Sequence, residues 1–282
     1  MKRLFLADWI QVDRSVARSV NLERDAANRD LLKRFQVTPM AREVLNRLAD
    51  ALEGEAVNAW SLTGPYGTGK TAFCNFLISF GCGDKDDRAI CMEKLQNADA
   101  DLVNRFKSFI KTNNDGIAPF IGVRAVSRYE SLNSTLIRAL FDTLNLLLDK
   151  STNTSLKKLH SEVAALVAKD WPTTKDVVAA YEQLARFSKR KLFLVVDEFG
   201  KNLEYQVHNT ARGDIFALQA LAESPNVLLW VCLHQAFTEY ASSLSRVQKE
   251  EWQKIQGRFE DKSYIEPPSR TFELIRESLS VT

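Results

Sequence analysis

One short stretch restricts the fold more than any other part of the chain. Residues 64 to 71 read Gly64-Pro65-Tyr66-Gly67-Thr68-Gly69-Lys70-Thr71, an unbroken G-x-x-x-x-G-K-[ST]. Small residues let such a backbone curl until successive N–H groups point at one anion, and glycine at 67 and 69 avoids a side chain that would strike it or demand a forbidden φ. Lys70 adds a flexible cation that reaches β- and γ-phosphates, and the Thr71 hydroxyl offers a hard oxygen to Mg²⁺. Ala72 closes this candidate nucleotide-binding set. Val57 to Leu62 just before the loop predicts a strand, and Thr71 to Phe80 predicts a helix whose positive dipole end faces the same anion. Strand, glycine loop and helix in that order point to an α/β fold that binds a nucleoside triphosphate.

A second apolar run, Lys191 to Asp197, ends in Asp197-Glu198. An uninterrupted run of this kind suits a parallel strand covered on both faces. At its tip Asp197 would hold Mg²⁺, mostly through water, while Glu198 would polarise an attacking water. Binding alone has no use for the second carboxylate, so the pair favours hydrolysis. A third apolar run, Val227 to Leu233, ends at His234-Gln235. Either side chain suits contact with a γ-phosphate or the attacking water, and His234 is the preferred one; a histidine satisfied by local backbone is the alternative.

The remaining pattern supplies the scaffold. Thr38, Pro39 and the spacing of Val44, Leu45, Leu48 and Leu52 predict a helix that Gly54 ends. Further predicted helices are 99–110 within a polar stretch at 81–116, one with Leu132, Leu136, Leu140 and Leu144 on one face, one or two in 151–190, one near 213–223, and one starting at Thr271. Further predicted strands are an edge strand around Val20 and Leu22, one at 119–126, and a last one at 263–267. Strands alternating with helices give a doubly wound, mainly parallel sheet.

Composition excludes several function classes. The 282 residues leave room for one large α/β domain or two small ones, and 45% hydrophobic with 26% charged residues is globular usage. A net charge of +2 sets up no overall field for nucleic acid or a membrane. The cluster Lys189-Arg190-Lys191 reads as a solvated strand edge. Cys74, Cys82, Cys91 and Cys232 form no CxxC pair and only His160, His208 and His234 could join them, which argues against zinc and for unpaired thiols. The N-terminus, MKRLFLADWIQVDR, is too short and polar for a signal peptide, and no apolar run reaches the ~18 residues of a membrane span. A cytoplasmic protein without a membrane partner is expected.

The order of parts resembles the AAA+ superfamily of ATPases. The residues that carry the resemblance are GPYGTGKT (64–71), LFLVVDEFG (192–200), His234-Gln235, Gly257-Arg258-Phe259 and Ile265-Glu266-Pro267. It implies a P-loop core of AAA+ type, a mainly parallel five-stranded sheet flanked by helices, with ATP and Mg²⁺ as cofactors. It also implies that Arg258 is an arginine finger acting in trans on a neighbouring subunit, hence self-association; an ordinary ion-pairing arginine is the alternative. Phe35-Gln36-Val37-Thr38 resembles the family's adenine-contacting linker, which would make Phe35 and Val37 walls of the base site, although core packing accounts for them equally well. The implied division is 1–34 as an N-terminal extension, 35–268 as the nucleotide-binding core and 269–282 as the start of a truncated helical lid. The family's lid is largely absent before Thr282, so the chain is either a fragment of a longer protein, the preferred reading, or lidless. A C-terminal region or partner proteins would then lie outside it.

DEFGK (197–201) and EWQKIQGRFED (251–261) are also similar to large, poorly characterised bacterial ATPases of phage-defence and mobile-element operons. The resulting expectation is an ATP-hydrolysing motor or switch in an oligomer, with ATP and ADP as ligands, nucleic acid open as a partner, and a place in antiviral defence. A nucleotide-sensing module with low turnover, controlling a C-terminal effector, is the alternative. A small-molecule kinase ranks last, because no acceptor site is visible.

Overall fold

Each long apolar run becomes a strand with helices over both faces. The structure, a computed structural model, describes residues 10–12, 19–110, 118–149, 151–169, 171–209, 215–277 and 279–281. It begins with β1 (Ile10–Val12), α1 (Arg29–Arg34) and α2 (Pro39–Glu53). The glycine loop lies between β2 (Ala59–Thr63) and α3 (Lys70–Cys82), followed by α4 (Lys85–Ala98) and α5 (Ala100–Phe106). Next come β3 (Phe120–Val126), α6 (Leu132–Leu148), α7 (Thr154–Val167), α8 (Thr174–Ser188) and β4 (Lys191–Asp197). The rest is α9 (Gly200–His208), α10 (Phe216–Glu223), β5 (Val227–Leu233), α11 (Phe237–Tyr240), α12 (Arg246–Gln256), β6 (Glu260–Ser263), α13 (Pro268–Glu277) and β7 (Leu279–Val281).

Five strands pair in the order β3-β4-β5-β2-β6, every pair parallel. Side chains alternate across this sheet. From β4, Leu192, Leu194 and Val196 join the cluster formed with α6, α8 and α10, whereas Phe193 and Val195 join the one formed with α2 and α3. Phe193 stacks on Trp230 at 5.0 Å and Trp230 on Trp60 at 4.8 Å, so three adjacent strands are tied by aromatic rings. Each such buried side chain stabilises the fold by about 2–3 kcal/mol relative to exposure. The result is the expected α/β architecture, a five-stranded parallel sheet flanked by helices with the glycine loop between β2 and α3. Because all five strands run the same way, the loops leaving β2, β4 and β5 share one sheet end, where ligands of open α/β sheets bind.

Local chemistry sets the helix ends. Thr38 Oγ1 accepts from the Ala41 N–H at 3.2 Å, Pro39 occupies the first position of α2, and Gly54 stops it at φ 86°. Asp84 and Asp99 cap α4 and α5. The first of these two helices lies in the polar stretch 81–116, and its apolar residues follow no clear helical face.

Several expected elements differ. No strand forms at 19–27: the Asn21 side chain accepts from the N–H groups of Glu23 and Arg24 and turns the chain, while residues 15–18 lie outside the described ones. The last strand of the main sheet is Glu260–Ser263, not 263–267, because Tyr264 N already bonds to Thr63 O at 2.7 Å and the chain then crosses the end of β2. Within residues 19–34, Leu22 and Leu32 are buried in the cluster with α2 and α3. At the other end, α13 is helical as expected, but Leu279–Val281 pairs antiparallel with Ile10–Val12. Both triplets alternate apolar, polar, apolar, the period of a strand rather than of a helix.

Candidate functional site

The glycine loop is shaped by contacts that only glycine tolerates. Gly64 leaves β2 with its N–H on Leu233 O at 3.1 Å, and a Cβ placed on it would lie 2.7 Å from the Tyr264 carbonyl oxygen. Gly67 and Gly69 have φ values of 81° and 89°, in the left-handed region. Lys70, the first residue of α3, is buried, and its Nζ donates to Gly64 O at 2.5 Å and Pro65 O at 2.9 Å. Burial lowers its pKa, with Asp197 pulling the other way. The ammonium is therefore held inside the curl of the loop by the loop's own carbonyls.

The tip of β4 meets this loop. Thr71 Oγ1 donates to Asp197 Oδ2 at 2.9 Å, and Asp197 Oδ1 accepts from the Glu198 N–H at 2.9 Å. Asp197 is buried, and that burial pushes its pKa up against the lowering effect of the Thr71 hydroxyl. A hydroxyl and a carboxylate side by side are the hard oxygen donors that Mg²⁺ takes, so the residues present fit that ion. Glu198 sits at φ 53°, a left-handed conformation that costs a non-glycine residue about 1–2 kcal/mol and that clusters at functional sites. Its carboxylate pairs with Lys201, the second residue of α9.

His234, immediately after β5, stacks on Tyr66 of the loop with ring centroids 3.5 Å apart. Burial and then the Lys70 charge lower its pKa, so the ring is neutral at pH 7. Both its ring nitrogens are buried and lack a hydrogen-bond partner. Gln235 is exposed.

A cavity of about 580 Å³ opens from Thr68 and Gly69 and runs along α3 past Ala72. Its volume falls within the range of small-molecule sites. Phe35 lines it and stacks on Phe76 at 4.5 Å, while Val37 is not among its walls and packs, partly buried, against the α2–α3 cluster. The cavity and a loop whose glycines are required by geometry together suit a nucleotide.

Arg258 lies elsewhere. β6 runs beside β2 in the register Trp60↔Glu260 to Thr63↔Ser263, and Arg258 precedes it. The length of β6, about 10 Å at ~3.3 Å per residue, therefore separates it from the end of β2 where the loop begins. Its side chain is about half exposed and its Nε contacts Glu223 Oε1 at 2.5 Å.

Three features escaped the sequence reading. Lys201 is one of them, and its place three residues after Glu198 at a helix start is the signal that could have found it. Cys74 and Cys232 touch, Sγ to Sγ 3.4 Å, beneath the loop, and nothing in the sequence relates them. Asn75 and Glu266 both line the cavity; a helical turn separates Asn75 from Thr71, whereas only the chain crossing brings Glu266 there.

Among solved structures the chain is similar to the Aeropyrum pernix ORC2 protein in its ADPNP–ADP complexes, with 12% identity and a TM-score of 0.47 over 97% of this chain and 57% of that one. It is also similar to Cdc6p from Pyrobaculum aerophilum, at 13% identity and TM-score 0.40 over 95% and 55% of the two chains. The Aeropyrum pernix ORC1 protein in complex with DNA gives 14% identity and TM-score 0.40 over 97% and 55%. The chain thus spans little more than half the length of these neighbours. No family model matches it, and no curated protein does. Among the described residues no helix is long and apolar enough to cross a membrane.

Proposed function

We propose that the chain binds ATP with Mg²⁺ and hydrolyses it to ADP and phosphate, as a motor or switch module that works in an oligomer. The observation that carries the reading is the 2.9 Å contact of Thr71 Oγ1 with Asp197 Oδ2, which joins the glycine-loop helix to the acidic tip of β4. In this reading the loop N–H groups from 64 to 72 and Lys70 neutralise the phosphates, Thr71 and Asp197 hold Mg²⁺, and Phe35 covers the base while Val37 supports it from behind. Bound there, Mg²⁺ would withdraw charge from the phosphate oxygens. Glu198 orients and deprotonates the attacking water once its carboxylate leaves Lys201, and neutral His234 touches the water or the γ-phosphate. Arg258, too far from its own loop, serves a neighbouring subunit. The same proposal includes a cytoplasmic setting, a place in bacterial defence, and the division of the chain into 1–34, 35–268 and 269–282.

A low-turnover nucleotide sensor is a second reading, and the Glu198–Lys201 ion pair favours it because it occupies the carboxylate that hydrolysis needs. Titration with ATP and steady-state phosphate release, measured with and without Mg²⁺ and a polynucleotide, test both. Tight binding with turnover of 1 s⁻¹ or so supports the motor, a rate within the ordinary range of about 1–10³ s⁻¹. Tight binding without turnover at any protein concentration selects the sensor, and no binding removes both.

A further inference from the structure

Two side chains in the cavity wall stand out by what they leave unbonded. Asn75 Oδ1 and Nδ2 are buried without a hydrogen-bond partner, and so are both carboxylate oxygens of Glu266. Buried polar groups are nearly always paired, and a carboxylate held from water without a partner is the costliest exception. Both residues face one cavity, which Phe35 and Phe76 wall with stacked rings. Glu266 is not loosely placed. Two residues before it, buried Tyr264 bonds through its N–H to Thr63 O at 2.7 Å. Four residues after it, Arg270 Nη2 donates to Gln36 Oε1 at 2.6 Å. The carboxylate is therefore presented from a segment pinned on one side to β2 and on the other to the residue next to Phe35.

We propose that Asn75 and Glu266 read the base of the bound nucleotide and select a 6-aminopurine, an assignment that rests on the nucleotide reading above. A primary amide offers an acceptor and a donor, and a carboxylate only accepts. Adenine carries two N–H donors on its exocyclic nitrogen beside a ring nitrogen that accepts. An amide spans that donor–acceptor pair in a bidentate contact, and the second amine hydrogen is left for the carboxylate. Guanine and hypoxanthine carry a carbonyl oxygen in place of the amine, which sets acceptor against acceptor in a site away from water. The aromatic walls are indifferent to this difference, since every purine presents the same kind of face. Selectivity therefore lies in these two polar side chains.

Calorimetric binding of the full chain to the Mg²⁺ complexes of ATP, inosine triphosphate and purine riboside triphosphate, which lacks any 6-substituent, tests the assignment. ATP is expected to bind at least roughly 30-fold more tightly than either analogue, as sites built to bond a substrate N–H discriminate strongly. Asn75→Ala and Glu266→Ala should each shrink that advantage to within about three-fold while leaving purine riboside triphosphate within about two-fold of wild type. Glu266→Gln, which keeps the volume and adds a donor, should gain affinity for inosine triphosphate, a change that a folding defect cannot produce. Equal binding of all three nucleotides, or variants that weaken all three alike as a ribose contact would, overturns the base assignment and leaves nucleotide binding standing. If none of the three binds, the nucleotide reading falls and takes this one with it.

Discussion

The two ends of β2 and its edge neighbour β6 differ in how their polar side chains are held. At the C-terminal end Lys70 bonds to the loop carbonyls and Thr71 to Asp197, with Lys70 and Asp197 almost wholly removed from water. At the N-terminal end Arg258 is about half exposed, and its ion pair with Glu223 is of the surface kind worth ~0–1 kcal/mol. The first group gathers the side chains that the proposed function assigns to phosphate and Mg²⁺ inside one chain. The second is a charge held weakly and facing outward, free to leave its partner for a better one. A binding function needs only the first end; a reaction completed by a neighbour needs both.

That contrast can be broken most directly at Lys70. Lys70→Ala should lower ATP affinity at least about 100-fold, because the flexible cation inside the loop is lost. Unchanged affinity in an ATP titration removes the phosphate role of the buried end altogether. The exposed end comes next. Wild-type turnover per subunit should rise with protein concentration, and Arg258→Ala should abolish that rise without changing ATP affinity in the monomer, with a loss of about 10³ in rate. Mixing Arg258→Ala with Lys70→Ala protein should restore part of the activity, since the second supplies an arginine to the first one's intact loop. A rate that is flat with concentration, together with a dead mixture, shows that the exposed end has no part in the chemistry.

Glu198→Gln should leave ATP affinity within about two-fold and slow hydrolysis by roughly 100-fold, the usual loss for a positioned base. Near-normal phosphate release would instead assign the water to another group. The smallest effect is expected at Glu223. Glu223→Gln should change stability by less than ~1 kcal/mol in a urea titration, since the pair it breaks lies at the surface. It should also raise turnover a few-fold by freeing Arg258. A larger stability loss would mean that Arg258 is a structural residue, and the comparison between the two ends would lose its meaning.

The buried end was legible because its residues announce themselves locally. Gly67, Gly69, Lys70 and Thr71 are neighbours in sequence, and Asp197-Glu198 ends an apolar run that had to be a covered strand. The misses have physical causes as well. β6 reads Glu-Asp-Lys-Ser and carries no apolar alternation, because it is an edge strand whose place is fixed by backbone pairing with β2 rather than by burial of its side chains. The turn at Asn21 comes from a side-chain bond to the backbone, which outweighs the weak strand pattern of Val20 and Leu22.

By itself the sequence determined the loop conformation, the hydrophobic periods that make the strands and helices, and the identity of the groups available for phosphate and Mg²⁺, since each depends on residues within a few positions of one another. Tertiary structure alone decided which distant groups meet. It set Thr71 against Asp197 across 126 residues, stacked His234 on Tyr66, and carried Glu266 over β2 to share a cavity with Asn75 and Phe35. Those meetings follow from the strand order of the sheet, and strand order is fixed by the sum of many weak burial and pairing terms spread over the whole chain.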